Sequence, residues 1–94
     1  MITIEEARNH PNYSKIPEPI LSSLYRYIED HFPTGDFLLQ VLSNHLFRSV
    51  AYADASSFAA LPNLIMFIHQ EVTPTACYGS PQRVAEWLTQ RTKQ

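Results

Sequence analysis

Cysteine occurs once in this 94-residue chain, at Cys77, so no internal disulfide can staple the fold. The chain also shows no charged leader followed by an apolar run, and together these features set the expectation of a reducing, cytoplasmic location. Long apolar runs are missing: the longest, Leu64 to Ile68, is far shorter than the roughly 20 residues of a membrane-spanning helix. Basic residues are few, seven Lys and Arg against nine Asp and Glu for a formal charge of -2, and they are scattered from Arg8 to Lys93. They form no stripe that could follow a phosphate backbone, so neither a nucleic acid nor a membrane is an expected partner. Strand-like alternation, internal repeats and low-complexity segments are lacking as well. At this length there is room for a single domain with one modest core.

What the chain does have is helical periodicity. Leu38, Leu42, Leu46 and Val50 recur every fourth residue, with Val41 and Ala53 beside them, which predicts one central helix from Phe37 to Ala53. On that helix His45 and Ser49 fall within the apolar arc and Phe47 lies opposite it. A titratable ring at a core position and an aromatic on the polar side both suggest further contacts. Pro19 suits the first turn of a helix reaching about His31, with Ile20, Leu24, Tyr27 and Ile28 on one face. Phe32-Pro33-Thr34-Gly35 breaks it, and Thr34 is placed to cap the central helix.

Phe58 to Val72 reads as a helix apolar almost all round, with Leu61, Leu64, Ile65 and Ile68 in its main arc and Met66 and Phe67 outside it. Pro62 predicts a kink or restart near Leu61. Ser80 before Pro81 signals a last helix through about Arg91 that buries Val84, Trp87 and Leu88. Upstream, Thr3 and Glu6 fit a capping box, and the stretch from His10 to Pro19 reads as a proline-rich arm anchored by Tyr13 and Ile16. The expected architecture is an all-α single domain over residues 1–94. Four main helices occupy residues 19–91, and residues 1–18 form a short helix and an arm.

Eleven aromatics exceed what a small core needs, so Phe47 and Phe67, with Tyr13 and Ile16 of the arm, are candidate interface residues and a homo-oligomer is expected. Tyr78, Gly79, Ser80 and Arg83 combine a stacking ring, a helix start and a positive charge, the parts of a subsite for an anionic nucleotide. A plain capped helix explains the same four residues. Asn44 and Asp54 are the polar residues next best placed to reach a ligand; the alternatives are a surface residue and a helix cap. His31, His45 and His69 with Cys77 have no recognised zinc spacing, so neither a metal nor another cofactor is expected. Cys77 sits in a loop beside Tyr78, accessible for thiol chemistry, but no nucleophile signature surrounds it and no catalytic set is expected.

The succession Phe37-Leu38, Val41-Leu42-Ser43-Asn44, Leu46, Ala53-Asp54, Tyr78-Gly79-Ser80, Val84 and Trp87-Leu88 resembles a family of small proteins encoded by bacteriophages and prophages. The likeness spans residues 17–88. This chain departs from the pattern in carrying His45 where aspartate is usual and Thr34 near a Pro-Gly entry. The resemblance implies a phage setting, in the cytoplasm of the host cell, where short accessory proteins counter host defences. Two functions are then expected: sequestering an anionic nucleotide-type signal without altering it, or inhibiting a host protein through exposed aromatics and the N-terminal arm.

Overall fold

The Thr3 hydroxyl accepts the Glu6 amide at 3.1 Å while the Glu6 carboxylate accepts the Thr3 amide at 3.0 Å, closing the capping box that starts the first helix. In the computed structural model, which describes the backbone of residues 1–92 and the side chains of residues 1–90, this is α1, Ile4–Arg8. A 3-10 turn at Tyr13–Lys15 follows, then α2 (Glu18–Asp30), α3 (Asp36–Leu42), α4 (Leu46–Tyr52) and α5 (Ala55–Glu71). A second 3-10 turn at Thr75–Cys77 leads into α6 (Pro81–Thr92). No strand occurs among the described residues, and the fold is an all-α single domain. A radius of gyration of 12.4 Å is what a compact chain of this length requires, about 13 Å at 100 residues.

One core joins these elements. Leu21, Leu24 and Tyr27 of α2 meet Leu38 and Leu42 of α3, Leu64 and Phe67 of α5, Cys77 and Val84 in a single apolar cluster. The polar tips that it encloses are satisfied. The Tyr27 hydroxyl donates to the Cys77 carbonyl at 2.6 Å, and the Trp87 indole donates to the Tyr27 carbonyl at 2.8 Å. His31, at the left-handed end of α2, packs on Trp87 with its Nδ1 2.9 Å from the Trp87 carbonyl, so this histidine ties α2 to α6.

The single central helix expected over Phe37–Ala53 is instead two. Asn44 adopts φ 63°, the left-handed conformation that asparagine tolerates better than most residues. The amides of Asn44 and His45 close back onto the carbonyls of Val41 and Gln40 at 3.0 and 2.9 Å, a Schellman stop with asparagine in place of the usual glycine. The chain then restarts, so α4 departs from the axis of α3 and its faces are reset. His45, expected among the core residues, is exposed, as are Leu46 and Val50; Ser49 alone of α4 is buried.

Three further expectations are corrected. Thr34 does not cap α3: Gly35 occupies the cap position, and the Thr34 hydroxyl donates to the Gly35 carbonyl. Of the kink or restart expected at Pro62, the restart does not occur, since α5 runs unbroken through it on the exposed side. The buried face of α5 is rotated from the expected arc, with Ser57, Ala60, Leu64, Phe67 and Ile68 inward and Phe58, Ile65 and Met66 outward. Phe67, expected at an interface, is therefore wholly inside the chain, where Tyr13 meets it edge-on at 5.0 Å. Tyr13 and Ile16 are likewise buried, anchoring the arm to its own domain and leaving no ring or branched chain there for a partner.

Candidate functional site

The end of α3 and the loop before α6 are locked together. Leu42, at the end of α3, has a carbonyl with no later amide of its own helix to accept, and the Gly79 amide donates to it at 2.8 Å. Gly79 has φ 114°, a conformation that side chains rarely adopt, and a Cβ there would approach Arg83 Nη1 to 3.3 Å. This contact brings Asn44 beside Tyr78 and Gly79, three of the residues named from sequence, at a cavity of about 230 Å³ that Val41, Ile68 and His69 also line. A smaller recess of about 60 Å³, lined by His45, Leu46, Ser49 and Leu61, shares Val41, Asn44 and Ile65 with it. The recess is a groove between α4 and α5, and it adjoins the cavity, which α3, α5 and the Tyr78–Gly79 loop line.

The groove is apolar at its rims. Leu46 is 68% exposed and Phe47 88%, with Val50 and Tyr52 also open to solvent, so α4 presents most of its apolar side chains outward. At about 100° per residue, Phe58, Pro62, Ile65 and His69 fall on one stripe of α5 with Met66 at its edge, and Phe58 is 58% and Ile65 48% exposed. No lysine, arginine or carboxylate lines either the cavity or the recess among the described residues. Of this surface sequence reasoning named Phe47 alone, because it carried the apolar period of α3 straight through Asn44; the signal available for the rest was asparagine's tolerance of the left-handed region.

The remaining sequence candidates serve the fold. Ser80 caps α6, its hydroxyl accepting the Arg83 amide at 3.1 Å, and the Val84 amide closes onto the Ser80 carbonyl at 3.2 Å. With Pro81 lacking an amide proton, most of the donors expected at this helix start are absent or engaged. The Arg83 guanidinium turns back toward the carbonyls of Tyr78 and Thr75, at 3.4 and 3.5 Å. Asp54 lies away from the cavity and caps α5, accepting the Ser57 amide at 2.8 Å and the Ser56 hydroxyl at 3.1 Å. Those hydrogen bonds hold its carboxyl below the usual carboxylate range.

Cys77, expected to be accessible, is fully buried, and burial pushes its thiol up to about 11. Among the described residues no three histidine, cysteine or carboxylate side chains gather as a metal site would require. Nor is any of their helices long and apolar enough to cross a membrane. No family model matches the chain, and neither a curated protein nor a solved structure matches it.

Proposed function

We propose that this chain is a non-enzymatic binding protein that acts by protein–protein contact through the α4–α5 groove and its apolar rims. The observation that carries this reading is the inverted burial of α4, whose one buried side chain is a serine while Leu46, Phe47 and Val50 face solvent. Phe47 and Phe58 together expose on the order of 300 Å² of ring, taking about 200 Å² per aromatic. Leu46, Val50, Ile65 and Met66 add further exposed apolar surface, and an apolar patch larger than a few hundred Å² is the usual mark of an interaction site. A groove lacking lysine, arginine and carboxylate lining fits an amphipathic helix that inserts aliphatic or aromatic anchors at intervals of three and four residues. The resemblance to phage-encoded proteins supports a host protein as the owner of that helix and counter-defence as the purpose.

The test is reconstitution with a purified host partner, followed by amide hydrogen exchange. Protection confined to residues 46–52 and 58–69, and a complex lost on Phe47→Glu or Ile65→Lys, is the expected result. A complex that protects other elements, or that survives both substitutions, overturns it. Sedimentation of the isolated chain adds the competing occupant, a second copy: a stable dimer dispersed by Phe47→Glu would assign the face to self-association.

A second reading, capture of a nucleotide-type small molecule, is favoured by one observation: Asn44, Tyr78 and His69 line the same cavity, offering an amide, a stacking ring and an imidazole to a heterocycle. It ranks behind the first because no arginine or lysine lines that cavity to pair with a phosphate. Calorimetry with cyclic dinucleotides and ADP-ribose derivatives checks it, with Tyr78→Ala as the control that must weaken binding.

A further inference from the structure

A second cleft, of about 270 Å³, lies on the other side of α3, between it, α6 and the start of α4. Its apolar lining is Leu39, Val84 and Leu88, and its polar lining includes Ser43, His45 and Arg48. Ser43 is only 7% exposed, and among the described residues its hydroxyl has no hydrogen-bond partner. Among the described residues no side-chain oxygen sealed from solvent lacks a partner, so this hydroxyl reaches water where Ser43 lines the cleft and is free to donate there. Arg48 is the second unused group. Arg8 is paired with Glu5 and Glu18, Arg26 lies over the Phe32 ring, and Arg83 bonds to backbone carbonyls, whereas the Arg48 guanidinium has no such partner among the described residues. No carboxylate lines the cleft among the described residues, so nothing in the lining neutralises that charge.

We infer that this cleft binds a small amphipathic organic anion, a carboxylate on a short aliphatic or single-ring stem. The carboxylate accepts from the Ser43 hydroxyl and pairs with Arg48, whose planar fork suits two-point contact with a carboxylate. The stem lies against Leu39, Val84 and Leu88, removing apolar surface from water on both sides. The volume, just under the 300–1,000 Å³ or so of pockets for drug-sized ligands, limits the stem to a short chain or one ring. His45 stands at the same cleft and supplies one more hydrogen-bonding nitrogen. His45 borders the recess of the α4–α5 groove as well, but Ser43, Arg48, Leu39, Val84 and Leu88 line this cleft alone, so its success or failure leaves the protein-binding reading untouched.

The test is a nuclear magnetic resonance titration of the full chain with hexanoate, following backbone amides, with hexanol as the uncharged counterpart. Saturable shifts at Leu39, Gln40, Ser43, Arg48, Val84, Ala85 and Leu88 are expected, with hexanol binding at least about tenfold more weakly, equivalent to about 1.4 kcal/mol. Arg48→Gln, an exposed substitution that leaves the rest of the spectrum unchanged, should weaken hexanoate about tenfold and leave hexanol unaffected. Ser43→Ala should weaken hexanoate by a smaller factor. Shifts that fail to saturate, equal binding of acid and alcohol, undiminished binding to Arg48→Gln, or shifts mapping to the α4–α5 groove would each overturn the inference.

Discussion

Tyr13 and Phe47 are both aromatic residues on short helical segments, yet the first is 1% exposed and the second 88%. The difference lies in what each ring finds around it. Tyr13 stacks on His10 at 3.9 Å, meets Phe67 edge-on, and donates its hydroxyl toward Gln70 and Glu71 at 3.1 and 3.0 Å. His10 in turn accepts the amides of Asn12 and Tyr13, so the irregular backbone of the arm is satisfied locally. Phe47 has a regular helix beneath it and no ring partner. A proline-rich stretch is thus held firmly by side chains, while a regular helix keeps its apolar residues for something outside the chain.

The largest expected effect sharpens that contrast. Tyr13→Ala removes a fully packed ring and should destabilise the fold by about 3–5 kcal/mol, the range for aromatic-to-alanine changes in cores. Phe47→Ala should change stability by no more than about 0.5 kcal/mol. Urea denaturation of both variants is the measurement, and similar losses for the two would mean that the α4 face is packed in solution. Tyr13→Phe isolates the hydroxyl, and its loss should cost about 1 kcal/mol.

Where the sequence could be read and where it could not follows the same division. The capping box at Thr3 and Glu6, the start of α6 at Ser80-Pro81 and the buried face of α2 were legible because each rests on neighbours within one or two turns. The site was only partly legible. Asn44, Tyr78 and Gly79 do meet at one cavity, but what joins them is the long-range bond from the Gly79 amide to the Leu42 carbonyl, which no local pattern encodes. The break at Asn44 was hidden by an apolar period that continues across it, and with the break went the placement of His45, Leu46 and Val50. On α5 apolar residues fall on nearly every side, so periodicity could not choose the inward face, which the long-range packing of Tyr13 on Phe67 marks.

The next effect is alkaline. Cys77 is buried against Tyr27, and Tyr25, whose hydroxyl donates to the Ile2 carbonyl at 2.8 Å, is raised to about 12 by burial and by the nearby carboxylates of Glu29, Glu71 and Glu6. Both groups ionise more readily in the unfolded chain, so their protonated forms favour the fold fully below about pH 9. That contribution is lost as pH rises through about 11 and 12. The urea midpoint should therefore decline between pH 9 and 12, and Tyr25→Phe should flatten part of the decline. A flat profile in the unsubstituted protein would show that these tyrosine and cysteine side chains are already open to solvent.

The smallest effect concerns the junction between α4 and α5. Asp54 caps α5 through Ser56 and Ser57, and its carboxyl is held below its ordinary value by those bonds. A lowered value in the folded state means that the cap contributes above the unfolded value near pH 4 and fades as pH falls through the folded one. Asp54→Asn keeps a side-chain oxygen for the Ser57 amide but cannot titrate, so it should remain close to the original stability at pH 7 and lose less of it on acidification. Asp54→Ala should be the less stable of the two at neutral pH and equally insensitive to acid at this position. Thermal melts at pH 7 and pH 3 separate the three proteins. If all three melt with the same pH dependence, the cap does not fix the start of α5.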